Sequence, residues 1–292
     1  RRVLFRSGKS AGLVQVEELG TLETPIALTN TLNVGKVWDA MVDIVVEQCE
    51  QDGLEPMSIN PVVGECNDSR INQIQKRVVG ADEVRQAFAS ASEEFEEGDV
   101  GAGAGTICYG LKGGIGSASR VIRIGEKEYT IGVLVQSNFG ATEDFVLNGE
   151  SVGAKILDWK QEKDDMAASE EDKGSIMSIL ATDLPLTSRQ LRRILRRTGV
   201  GIARTGGYTG HGSGEVMIGF TTANRIPSGA EEELLQIQAI PEHVINRAFL
   251  AAAEAEQEAI LNSMTAAERT RGQAGELYYS LSEYLEDQDS KQ

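Results

Sequence analysis

Histidine and cysteine are scarce in this chain of 292 residues: His211 and His243 are the only two of the first, and Cys49, Cys66 and Cys108 the only three of the second. That supply excludes a His-rich metal centre, and the cysteine spacings fit neither a zinc site nor a disulfide framework. A Ser-His-Asp triad has few candidate bases. No metal and no cofactor is expected. Positive charge is also short, with 28 Lys and Arg against 45 Asp and Glu and a net charge of −17. Phosphate binding needs a basic surface, so nucleic acid is excluded as a partner, and an anionic membrane with it. Long apolar runs are missing too, none approaching the roughly 18 residues that suggest a membrane span. The opening Arg1-Arg2-Val3-Leu4-Phe5-Arg6-Ser7 is too short for a signal peptide with its cleavage site. The chain begins without methionine, so its true front is expected to be absent; a cytoplasmic location is the default and export stays open.

What is present is a core and many tight approaches: 40% hydrophobic residues and 32 glycines. Apolar alternation predicts strands at Leu13–Glu17, Ile26–Thr29, Pro61–Gly64, Ser119–Ile124, Tyr129–Gln136, Ile176–Leu180 and Glu215–Thr222, the fourth and fifth forming a hairpin across Gly125-Glu126-Lys127. Helical spacing predicts 34–51 behind Asn33, a helix from Asp82 to about Phe95, a basic helix Arg189–Thr198 behind Thr187 or Ser188 followed by a loop from Gly199 to Gly214, and a long helix from Glu242 to Glu268 after Pro241. The tail at Leu277, Leu281, Tyr284 and Leu285 adds an amphipathic turn or two. Arg192, Arg193, Arg196 and Arg197 read as a solvated face or as partners for acidic loops. Glycines crowd 98–116 without the spacing of a phosphate loop or dinucleotide fingerprint, so they are expected to line a pocket wall. Strands joined without helices between them favour a mixed or largely antiparallel sheet covered by helices, an α+β fold. The chain shows no internal repeat and no domain boundary.

One junction stands out. A very polar stretch, 160–172, gives way at Lys173-Gly174-Ser175 to the buried strand Ile176–Leu180. Glycine tolerates a strained backbone and serine is a potential nucleophile, which together are what self-cleavage needs. Alone, the pair reads as an ordinary loop end.

Six segments change that reading: 18–31, Val63-Gly64-Glu65, 98–120, Val135–Gly140, Lys173–Asp183, and Ser213-Gly214-Glu215 running to Asn224. In their order and spacing over 13–268 the chain resembles the N-terminal-serine aminopeptidases, the family of the L-aminopeptidase/D-Ala-esterase/amidase and the β-peptidyl aminopeptidases. The resemblance implies a four-layer αββα sandwich, similar in layering to N-terminal-nucleophile hydrolases but differently connected. It implies self-cleavage between Gly174 and Ser175 into chains 1–174 and 175–292. Ser175 would be the nucleophile, its own α-amine the base, Ser213 and Glu215 the network that orients it, and Asn138 an oxyanion donor. Glu65 would hold the substrate's amino group, with Asn67 beside it where studied members carry tyrosine. The implied substrates are short peptides, amides or esters, and the implied assembly is a homo-oligomer of cleaved pairs. Residues 1–12 do not resemble the family and are expected to be a leader outside a single domain spanning 13–292, with a sheet edge left uncovered. Two alternatives remain: an uncleaved, inactive relative that binds or supports, and an acyltransferase of the ornithine acetyltransferase type.

Overall fold

The computed structural model describes residues 1–4, 8–163, 174–227 and 234–291. Its main strands, leaving aside short two-residue pairs, are β1 (Arg2–Leu4), β2 (Ile26–Asn30), β3 (Val62–Cys66), β4 (Ile115–Ile124), β5 (Lys127–Asn138), β6 (Ser175–Thr182) and β7 (Gly214–Thr221). Its helices are α1 (Leu13–Glu18), α2 (Val34–Gln51), α3 (Ala81–Ser90), α4 (Gly153–Glu162), α5 (Ser188–Leu195), α6 (Thr198–Arg204), α7 (Asn246–Thr265) and α8 (Leu281–Ser290). Five strands form one mixed sheet in the order β1-β7-β6-β5-β4, in which β6 runs parallel to β7 and antiparallel to β5. β2 and β3 form a second, parallel pair.

Alternation along these strands builds four layers. Ile131, Val133 and Val135 of β5, Ile176 and Leu180 of β6 and Met217 of β7 turn one way, into a core shared with α4 to α8. Met177, Val216 and Ile218 turn the other way and meet Val62 and Cys66 of the small sheet. The outer face of that sheet, through Val63, packs on α2 and α3. Helix, sheet, sheet, helix is the αββα sandwich, and each of its three interfaces has its own apolar core.

Several local expectations hold. The hairpin forms, longer than read, around a two-residue turn at Gly125-Glu126 that starts with a positive φ of 63°. Thr187 caps α5 in a reciprocal box with Gln190. Arg189 and Arg193 pair with Glu242, and Arg192 with Glu17. The glycines of 98–116 serve close backbone approach, as where Gly98 and Ile115 exchange two hydrogen bonds of 2.7 Å.

Others are corrected. Leu13–Glu17 is helix α1, because Leu13 and Val16, three apart, are the residues that point inward. The helix expected from Asp82 starts at Ala81, behind the N-cap Gly80 whose N–H is bonded by Glu83, and ends at Ser90. The basic helix breaks after Leu195 and resumes as α6 through residues expected to be loop; Gly201 there lets α6 approach α7, where a Cβ would stand 2.6 Å from the Ala253 carbonyl. The polar stretch 160–172 is helical to Glu162 and from 164 lies outside the described residues. The front of the chain, expected to stand apart as a leader, is woven in: Arg2–Leu4 pairs with Val216–Ile218 as an edge strand, and Ala11 exchanges backbone hydrogen bonds with Val63.

Candidate active site

The start of β6 lies between the end of β5 and the start of β7. Ser175 is in register with Asn138 on one side and Gly214 on the other. Ser175 shares the parity of Met177, and Asn138 that of Gln136, so both side chains belong to the face between the sheets. Directly opposed pairs of this kind hold their Cβ atoms about 4.5–5.5 Å apart. Gly214 presents no side chain beside the half-buried Ser175.

Gly174 is fixed by sterics rather than by an unusual φ. A Cβ there would stand 1.8 Å from the Asn138 carbonyl oxygen and 2.7 Å from Cα of Phe139. Its own carbonyl accepts the Gly214 N–H at 3.0 Å. The Gly174–Ser175 peptide is therefore hydrogen-bonded to the Ser213–Gly214 peptide, and its carbonyl is polarised by that N–H.

Asn138 is buried and doubly tied. Its Oδ1 accepts the Ile107 N–H at 3.0 Å, and its Nδ2 donates to the Asn67 carbonyl at 3.1 Å. A side-chain amide has two hydrogens to donate, so one bond to Asn67 leaves Asn138 a second. Asn67 contributes through its backbone; its exposed side chain turns back to accept the Ser69 N–H at 3.1 Å. From above, Cys66 brings the small sheet onto the site, its thiol 3.5 Å from the carbonyl oxygens of both Ser175 and Gln136. Burial pushes that thiol far above the ordinary cysteine range, with the contact to Ser175 pulling the other way. It is an inert spacer, not a nucleophile.

Ser213 and Glu215 are almost wholly buried. Glu215 shares the parity of Met217 and is in register with Ile176, so it lies under the sheet, on the face opposite to Ser175. The Ser213 hydroxyl has no hydrogen-bond partner among the described residues. Glu65 is engaged by other groups: its Oε1 accepts the Lys9 N–H at 2.9 Å, and its Oε2 accepts the Thr31 hydroxyl. The structure thus brings Gly174, Ser175 and Asn138 together beside Ser213 and the start of β7, with the Glu215 side chain on the opposite face of the sheet, and engages Glu65 with Lys9 and Thr31.

The model of peptidase family S58 matches residues 3–278. The chain belongs to that family. Membership makes it a serine-peptidase relative with the N-terminal-nucleophile layering described above, and the match reaches back across most of the front that had been expected to lie outside. The β-peptidyl aminopeptidase of Sphingosinicella xenopeptidilytica is 36% identical over 280 residues, 93% of this chain and 69% of that protein. A solved protein of Pyrococcus horikoshii OT3 superposes with a TM-score of 0.88 at 45% identity, covering 98% of this chain and 78% of its own. The L-aminopeptidase D-Ala-esterase/amidase of Ochrobactrum anthropi, described as a prototype of the serine aminopeptidases and a variant of the N-terminal-nucleophile hydrolase fold, superposes with a TM-score of 0.87 at 33% identity over 98% of this chain and 79% of its own.

Three further residues near these segments escaped the sequence reading. Thr31 lay within a segment that carried the resemblance, but nothing marked it as the partner of Glu65. Cys66 followed Glu65 with no signal of its own. Lys112 is fully buried in the glycine run, its ammonium donating to the carbonyls of Gly103, Thr106 and Gly113 at 2.9, 3.1 and 2.7 Å. Desolvation pulls its pKa down to about 8. A lone lysine among glycines looks like surface charge until the three carbonyls are seen to converge.

Proposed function

We propose that the chain is a self-processing serine aminopeptidase that removes the N-terminal residue from short peptides, amides or esters. The observation that carries this is the setting of the Gly174–Ser175 peptide: clamped so closely that no side chain fits at 174, polarised by Gly214 N–H, and opposed across the strand by Asn138. In this reading Ser175 Oγ attacks the Gly174 carbonyl carbon. The C–N bond breaks as the Ser175 nitrogen takes a proton, and water hydrolyses the resulting ester. Chains 1–174 and 175–292 remain.

The freed α-amine of Ser175 has an ordinary pKa of about 7.7–8.0. It is a base on the same residue as the hydroxyl, so no histidine is required. In turnover Ser175 Oγ attacks the substrate carbonyl to form an acyl-enzyme, and Asn138 Nδ2 donates to the developing oxyanion; loss of such a donor costs about 2.7–4 kcal/mol. Ser213 and Glu215, packed beneath the same strand ends, orient the new amine. Glu65 takes the substrate's ammonium, which replaces the Lys9 N–H on Oε1 while Thr31 keeps hold of Oε2. This accounts for action at a free N-terminus.

Kinetics on an alanyl amide and on an ester lacking the amine test the assignment. Ser175→Ala should abolish hydrolysis of both. Glu65→Ala should lower kcat/KM for the amine-bearing substrate by roughly tenfold to a hundredfold, as expected for a hydrogen bond to a charged group, and should leave the amine-free ester nearly unchanged. Equal losses on both substrates would remove Glu65 from amine recognition. Asn67, engaged through its carbonyl, is expected to shape the pocket rather than to bind the reacting groups.

A further inference from the structure

A cavity of about 770 Å³ opens between β2, the helices α2 and α3, and the turn 101–105. Its walls are mostly apolar, with Val37, Met41, Val79, Val84 and Phe88 among them. Two of its lining residues carry buried polar atoms that have no hydrogen-bond partner among the described residues: Thr29 Oγ1 and Asp68 Oδ1. Thr29 is 3% exposed and Asp68 7%. The other carboxylate oxygen of Asp68 is served by Asn72 at 2.9 Å and Asn30 at 3.4 Å, so the carboxylate is held in place with one oxygen left over.

Buried polar groups are satisfied in the great majority of cases, and each exception calls for a reason. An apolar cavity of this size with a few convergent polar groups is the common form of a small-molecule site. Both orphaned atoms can accept, one carries carboxylate charge, and the chain has a net charge of −17. An ammonium offers three donors and a compensating charge, whereas an anion would face Asp68 unpaired. We infer that this cavity is a second binding site, apart from Ser175, for a primary amine on an apolar body, with Asp68 and Thr29 receiving the ammonium and the α2 and α3 side chains enclosing the hydrocarbon. Burial already makes Asp68 harder to ionise, its amide partners, a backbone hydrogen bond and the charge of Lys112 only partly offsetting this; a bound ammonium works further against that penalty. The assignment does not depend on the nucleophile at Ser175.

Calorimetric titration of the full chain in a Glu65→Ala background, which removes the other amine-binding carboxylate, tests it with 2-phenylethylamine and, as the like-shaped anion, 3-phenylpropanoate. The expected result is saturable one-to-one binding of the amine, at least tenfold tighter than the anion. Asp68→Asn should weaken the amine tenfold or more, and Ala104→Trp at the exposed rim should abolish binding. If Asp68→Asn does not fold, Thr29→Val and Ala104→Trp decide. Absence of saturable binding, or an amine affinity unmoved by these substitutions, would overturn the site and leave a solvent-filled cleft.

Discussion

Glu256 lies wholly inside the protein on α7, where its Oε1 accepts the hydroxyl of Ser178, three residues along β6 from Ser175, at 2.6 Å. Desolvation pushes its pKa from the ordinary 4.5 up to about 8, the bond from Ser178 acting against the rise. Between those two values the folded protein holds a proton that the unfolded chain has released, so its contribution to stability is complete below about pH 4.5 and lost as pH rises through about 8. Glu256→Gln cannot ionise. The urea midpoint of this variant should therefore gain on the wild type steadily from pH 5 to pH 8.5. A difference that stays constant over that range would show that Glu256 is charged in the fold. Lys112 acts on the opposite side of neutrality: with its pKa lowered from 10.5 to about 8, it makes stability rise between those values, equally in both proteins.

At the scale of elements, the approach of α7 to β4 sets how tightly the outer helical layer sits. A Cβ at Gly116 would stand 2.1 Å from the Ala259 carbonyl and 2.4 Å from the Ser263 nitrogen, both backbone atoms of α7. Gly116→Ala must displace the helix, an overpacking that costs about 1–3 kcal/mol. A lowered denaturation midpoint with an unchanged far-UV spectrum is expected; an unchanged midpoint would mean that the layer gives way freely. The elements themselves were largely legible, because alternation and helical spacing are local signals: β2, β4, β5, β6 and β7 and the capped start of α5 are where the apolar pattern and Thr187 put them. The failures share a cause. Leu13–Glu17 is too short for period to separate helix from strand, and the small residues of α6 read as loop because their purpose, contact with α7, is tertiary. The site was less legible than the fold. Ser175 and Asn138 are 37 positions apart in sequence and become neighbours only through the β5–β6 register. Without the family resemblance, nothing in the chain joined them.

For the molecule as a whole, the strand order decides what a cut after Gly174 does. β6 and β7 come from 175–292 and sit in the middle of the large sheet, with β1 of the first chain on one side and β5 and β4 on the other. The products of such a cut would be interleaved by backbone hydrogen bonds across both junctions and would share the core beneath. Native size-exclusion chromatography should accordingly show chains 1–174 and 175–292 eluting together and parting only in denaturant. Two native peaks would show that the sheet does not hold them.

The measurement that bears most directly on the central claim is the intact mass of the purified protein under denaturing conditions. The account predicts two masses that meet at Gly174/Ser175, and a single unbroken chain for Ser175→Ala. A wild-type chain that remains whole, without hydrolysis of alanyl amides, would contradict it.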